Sequence, residues 1–361
     1  MSPPDCPSWL FLCNPFEPLR QLLLAIFGAL LPDPLPAIIV TVLAITMVTT
    51  LIAMIVMSQV WAERRIVGFM QGRLGPNRVG PAGLLQAVAD AVKLLTKEVI
   101  IPSRADRLPF MLAPLVVLVP SLLVWVVIPW GPGLAIADLN IGVLYILALG
   151  ALPTIGILMA GWASGNKYSL LGGMRAAAQL ISYEIPMVIT MMVPVLLAGT
   201  MSLRGIVEEQ SDLWFVLALP VGPIALLLFL MAGIAEVNRS PFDLPEAESE
   251  IVAGFHTEYS GMAFALFFLA EYANSFAVSA MATVLFLGGW LGPIFPPFIW
   301  FFLKTYCIFF VMVWVRGTLP RVRYDQLMHV AWKVALPAAL AVVGVAAVQI
   351  WLSLIPGGAG A

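Results

Sequence analysis

Between residues 236 and 262 six carboxylates, Glu236, Asp243, Glu246, Glu248, Glu250 and Glu258, stand against the single arginine Arg239. If 244–254 is helical, Asp243, Glu246 and Glu250 fall at i, i+3 and i+7 and share a face. Carboxylates that close raise one another's pKa and titrate as a group, so such a cluster can hold and release protons near neutral pH. The structural alternative is a capping box, Asp243 with Glu246, beside a solvated acidic surface. Three more charges fall inside or at the edge of apolar runs. Glu271 and Lys304 each lie about 12 Å into their runs, from opposite sides, at about 1.5 Å per helical residue. Glu184 enters its run beside Tyr183 and ahead of Pro186. An ionisable group inside a bilayer costs at least about 2.5 kcal/mol and needs a partner or a water path. A Glu271–Lys304 pair locking two helices would meet that need. Glu184 has no evident partner, which makes it the better candidate for a proton relay. Arg64, Arg65, Arg73 and Arg78 read most simply as anchors on lipid phosphates.

The elements that position these groups must be membrane helices. Apolar residues make up 61% of the 361 positions and charged residues only 11%, too few to cover an exterior facing water. Runs long enough to cross about 30 Å of hydrocarbon lie near 38–61, 110–129, 141–162, 185–201, 213–235, 263–287, 297–315 and 336–354. The expected fold is therefore an all-α integral membrane protein of about eight transmembrane helices with structured cytoplasmic loops and amphipathic surface helices. Residues 1–37 are read as an extension with a short interfacial helix over 19–31, residues 38–355 as one polytopic domain, and 356–361 as a flexible tail. The N-terminus carries no basic cluster or cleavage site of a signal peptide. Pro114, Pro120, Pro153, Pro194, Pro220 and Pro223 fall inside runs and predict kinks.

Loops 62–109, 163–183, 236–262 and 316–335 hold eight, two, one and four Lys/Arg, whereas the intervening loops hold only Arg204. The excess of basic residues puts the first set in the cytoplasm and both termini outside. Leu84–Glu98 alternates apolar and polar positions as a helix lying on a surface does. The stretch from Gly72 to Gly83 is turns and lacks a phosphate-loop signature. Cys6, Cys13 and Cys307 have no ligand spacing, and His256 and His329 are far apart, so no metal, haem or iron–sulfur cluster is expected.

Several motifs then resemble one family. Glu63-Arg64-Arg65 with Gln71-Gly72-Arg73 and Gly75-Pro76-Asn77 is similar to the first loop of the quinone-site membrane subunit of respiratory complex I, the family of mitochondrial NADH dehydrogenase subunit 1. Gly161-Trp162-Ala163-Ser164, Arg175-Ala176-Ala177-Ala178-Gln179 and Ser182-Tyr183-Glu184 resemble its third loop. Asn238-Arg239, Pro241-Phe242-Asp243-Leu244-Pro245-Glu246 and Glu258-Tyr259-Ser260-Gly261 resemble its acidic loop, and Arg316-Gly317-Thr318-Leu319-Pro320-Arg321 its last. The resemblance runs in order from about residue 38 to 355. It implies a protein that couples quinone reduction to proton translocation, with quinone as substrate and no redox centre, flavin included, of its own. Its implied partners are peripheral-arm subunits carrying iron–sulfur clusters at the cytoplasmic face, small membrane-arm subunits and the lipid bilayer, but no nucleic acid. By position Glu63, Arg64, Arg73 and Asp90 would shape the quinone chamber and its mouth. Asp243, Glu246, Glu248, Glu250 and Glu258 would form its acidic floor, and Glu236, Glu184 and Glu271 would begin a polar path. The implied location is a bacterial inner membrane, with both termini periplasmic. A homologous component of a membrane-bound hydrogenase or ferredoxin-fed complex, and a stand-alone transporter, are the alternatives.

Overall fold

The computed structural model describes residues 35–245 and 251–352. The expected interfacial helix over 19–31, Glu246, Glu248, Glu250 and the glycine-rich tail lie outside the described residues, as do residues 246–250 of the 244–254 helix expected from spacing. Leu244 and Pro245, at its start, are not helical.

The chain is an all-α integral membrane protein. Among the described residues seven helices are long and apolar enough to cross a bilayer: Ile38–Met70, Arg107–Val126, Gly142–Ala163, Lys167–Ala198, Gly261–Phe286, Pro297–Thr318 and Tyr324–Trp351. The run expected at 213–235 holds a shorter apolar helix, Val221–Glu236.

Helix α1 (Leu35–Met70) continues well beyond the end expected at residue 61. No glycine or proline interrupts 38–67, so nothing stops backbone bonding where the hydropathy falls. The helix ends only at the turn through Gln71 and Gly72, where Gly72 takes a φ of +66°. That extension matters because it carries Glu63 inward, where it is buried, and leaves Arg64 exposed. The surface helix α2 (Gln86–Thr96) follows, then α3 (Arg107–Leu123).

The run at 141–162 is split into α4 (Gly142–Gly150) and α5 (Leu152–Ala163). Pro153, at the start of α5, has no N–H for the carbonyl four residues back, and its ring crowds that turn. Helix α6 (Lys167–Ala198) begins about five turns before the expected residue 185. Buried Gln179 and Ser182 face neighbouring helices rather than lipid, so their polarity does not end the helix. Asn166 caps its first turn by accepting from Tyr168 N at 2.9 Å, and Gly199 closes it with a φ of +65°. After the short α7 (Leu203–Glu209) come α8 (Val221–Glu236) and α9 (Gly261–Phe286). Next are α10 (Pro297–Thr318), α11 (Tyr324–Val330) and α12 (Leu336–Trp351), the last two joined by a π-helical turn.

Packing follows side-chain size. Ala113, Ala160, Ala163 and Ala176 are almost wholly buried and let α3, α5 and α6 approach closely, the usual solution where lipid offers no hydrophobic drive between helices. Helix α9 is central and contacts α1, α3, α8 and α10.

The expected Glu271–Lys304 pair does not form. Lys304 Nζ donates instead to the carbonyls of Leu287 at 2.6 Å, Gly289 at 3.2 Å and Leu291 at 2.7 Å, with the Trp214 ring 4.0 Å away. These carbonyls follow the end of α9, where no intrahelical partner remains. The lysine stem reaches them by running back along apolar surface. Glu271 lies 15 residues before the end of that helix, about 22 Å away at 1.5 Å per residue.

Candidate functional site

Glu184 of α6, Glu236 at the last residue of α8, and Glu271 of α9 line one cavity of about 110 Å³. The α4–α5 break forms one wall through Leu149, Gly150, Pro153 and Thr154. Gly150 lies close to the carboxyl: a β-carbon there would stand 3.5 Å from Glu236 Oε1, an ordinary contact distance. Glu236 Oε2 is buried without a hydrogen-bond partner among the described residues. A cavity of this size, with several polar groups on its wall, has room for water. Three carboxyls from three helices sharing one water-sized space have interdependent protonation. Broken helices in membrane proteins are tolerated where the freed backbone faces protein or a polar cavity rather than lipid.

A chain of alternating charges leads into this cavity. Arg239 Nε lies 3.0 Å from Glu271 Oε1, and its Nη1 lies 3.1 Å from Glu63 Oε1. Glu63 also pairs with Arg316, at the end of α10. The order is Arg316, Glu63, Arg239, Glu271, then cavity. The side chains of Arg239 and Glu63 are only 9% and 7% exposed. The Arg239 guanidinium also sits 4.1 Å over the Tyr272 ring, a cation–π contact that helps offset its desolvation.

Gln179 positions this chain. Its Nε2 lies 2.8 Å from the carbonyls of both Ala235 and Phe242, and 3.1 Å from Asn238 Oδ1. Two amide hydrogens thus hold the loop carrying Arg239 against α6. Gln179→Ala strands buried carbonyls and is expected to destabilise the protein by about 2–4 kcal/mol. Thermal unfolding in detergent tests this; an unchanged midpoint would mean that the loop is held by other contacts.

The other residues singled out in the sequence are distributed around this core. Arg64 Nη1 lies 2.5 Å from Asp90 Oδ2, and Gln86 Nε2 donates to Asp90 Oδ1 at 3.0 Å. Both charges are partly exposed, so the pair contributes at most about 1 kcal/mol. Arg73 is exposed and donates from Nε to Gln71 Oε1 at 2.7 Å. Asp243 accepts from Arg321 Nη2 at 3.2 Å. Glu258 is not brought to the cavity wall; it accepts from Asn166 Nδ2 at 2.6 Å and so ties its loop to the start of α6. Tyr259 stacks on Phe110 with centroids 4.1 Å apart and donates to the Phe110 carbonyl at 3.2 Å. Burial raises its phenol pKa, so it stays a donor.

Sequence reading does not pick out Arg239, Arg316, Gln179 or His256 as site residues. Arg239 does carry a signal, as the lone cation among six acids. The apolar stripe of α2 is unexpectedly outward: Val88, Val92 and Leu95 are exposed, Leu95 by 62%.

A family model described as NADH dehydrogenase matches residues 43–347. The protein named as the H subunit of NADH-quinone oxidoreductase in Dehalococcoides mccartyi strain CBDB1 is 55% identical over 294 residues, 81% of this chain and 82% of that protein. Proteins of the same name from Geobacillus kaustophilus and Rhodospirillum centenum are 55% and 51% identical, covering 80% and 84% of this chain and 88% and 91% of their own lengths.

Proposed function

The chain belongs to the NADH dehydrogenase family, and from that premise we propose that it is the quinone-chamber and proton-coupling membrane subunit of a proton-pumping NADH:quinone oxidoreductase. One observation carries this reading: Glu184, Glu236 and Glu271 share a cavity that Arg239 joins to buried Glu63. A charge change near Glu63 alters the field on Arg239, and so the sharing of protons among the three carboxyls. Redox chemistry at the basic face is thereby linked to protonation within the membrane.

The basic face is the cytoplasmic one in this proposal, and both termini lie on the periplasmic side of a bacterial inner membrane. Iron–sulfur subunits of the peripheral arm dock there and deliver electrons to quinone, while small membrane-arm subunits continue the polar path. Glu63, Arg64, Arg73 and Asp90 shape the chamber and its mouth. The outward apolar stripe of α2, next to the Arg64–Asp90 pair, suits a substrate with a polar head and an apolar tail. Asp243, Glu246, Glu248, Glu250 and Glu258 serve as the acidic lining of the loop side.

Purification in mild detergent, identification of the proteins that copurify and an assay of inhibitor-sensitive quinone reduction test the proposal. Recovery with NADH-oxidising subunits and quinone reductase activity is expected; recovery with hydrogenase subunits, or alone, would contradict it. Within the intact complex, Arg73→Ala should lower quinone turnover about tenfold by removing a charged positioning group. An unchanged rate with short-chain quinone would remove Arg73 from the chamber.

A further inference from the structure

His256 belongs to neither the charge chain nor the acidic positions drawn from sequence, yet it lines the same cavity as Glu184, Glu236 and Glu271. It ends the short turn Gly254–His256, which packs against α5 and α6. The turn can sit that close only because both surfaces are glycine. A β-carbon at Gly172 would stand 2.6 Å from Gly254 Cα, and Gly254 itself has a φ of +60°. The imidazole is wedged edge-on between Phe255, at 4.9 Å, and Phe264, at 5.4 Å between ring centroids. It is half-buried, as are Thr257 and Glu258 after it. One side chain is therefore common to this half-buried loop segment and to the cavity wall.

We propose that His256 is a proton-relay residue forming a second way into the glutamate cavity, distinct from the Glu63–Arg239–Glu271 chain. The inference rests on the proton-coupling function proposed above. A proton from the loop side binds one ring nitrogen, and the proton on the other nitrogen leaves toward the cavity. Return of the ring to its starting tautomer completes the cycle, with no net change in the residue. The charged groups arrayed on the elements around it are Glu184 of α6, with Lys167 and Arg175 nearer that helix's start, Glu236 of α8 and Glu271 of α9; α5 carries none. Burial lowers the imidazole pKa to about 4. The ring is thus neutral at pH 7 and offers one donor and one acceptor nitrogen. The aromatic wedge holds the ring in place, and the three carboxyls beyond it supply the acceptors.

The test uses the whole complex in inverted membrane vesicles, compared at equal amounts of assembled enzyme. His256→Phe keeps the ring packing and removes both nitrogens; His256→Ala leaves a hole. Both are expected to slow NADH-driven quinone reduction and proton uptake roughly tenfold or more. Added imidazole should restore the alanine variant several-fold and leave the phenylalanine variant slow. Normal rates in His256→Phe, or an alanine variant indifferent to imidazole, would overturn the relay and reduce His256 to packing. If the unaltered complex moved no protons with NADH, the function proposed above would fall, and the relay with it.

Discussion

Arg239→Met is expected to reduce quinone-coupled proton pumping about a hundredfold and to destabilise the subunit by about 3–5 kcal/mol. The size follows from what the substitution leaves behind. Glu271 loses the guanidinium 3.0 Å away, and Glu63 loses one of two arginines. Methionine fills the volume but neutralises nothing, so Glu271 remains in apolar surroundings without its arginine and Glu63 keeps only Arg316. Arg239→Lys separates the two effects: it restores a charge without the planar fork that bridges both acids. Part of the stability should return, but little of the coupling. Thermal unfolding together with dye-monitored pumping in vesicles reads both quantities. A methionine variant that pumps normally would show that the bridge is structural decoration on a pathway lying elsewhere.

Glu236→Gln should have the next largest effect, and of a different kind. Glutamine has nearly the same shape, and the site lies in a cavity rather than in close-packed core, so assembly and heat stability should stay close to those of the unaltered protein. What disappears is one of three places where a proton can rest. Pumping is expected to fall by at least tenfold, with quinone reduction falling alongside if the two are tightly coupled. Assembled enzyme with unchanged protons moved per electron would remove Glu236 from the path. Glu184→Gln should act in the same direction, because its carboxyl lines the same space.

Much of this arrangement is legible in the residues alone, and the failures have physical causes. Apolar runs locate membrane helices because lipid contact demands them, and Glu184 and Glu271 stand out because charges there need company. Helix ends are less legible. Hydropathy marks where side chains stop suiting lipid, whereas α1 and α6 continue wherever backbone bonding continues and neighbours cover the polar groups. The Glu271–Lys304 pairing fails for a related reason. Depth along two helices suggests partners, but the carbonyls after α9 are nearer to Lys304 than any acid among the described residues. Gln179 and His256 are hidden, and Arg239 shows only as a lone cation, because their roles depend on three-dimensional neighbours: a loop after α8, a turn seated on Gly172, and a carboxylate on α1. None of these contacts leaves a periodic trace in sequence.

The most direct test of the account is infrared difference spectroscopy of the intact complex, recorded as bound quinone is reduced. A change in the carbonyl band of protonated carboxyls is predicted, sensitive to heavy water and diminished in Glu236→Gln. No carboxyl signal on quinone reduction, or an identical signal when Glu184, Glu236 and Glu271 are each replaced by glutamine, would contradict the claim that these buried acids exchange protons in response to redox chemistry.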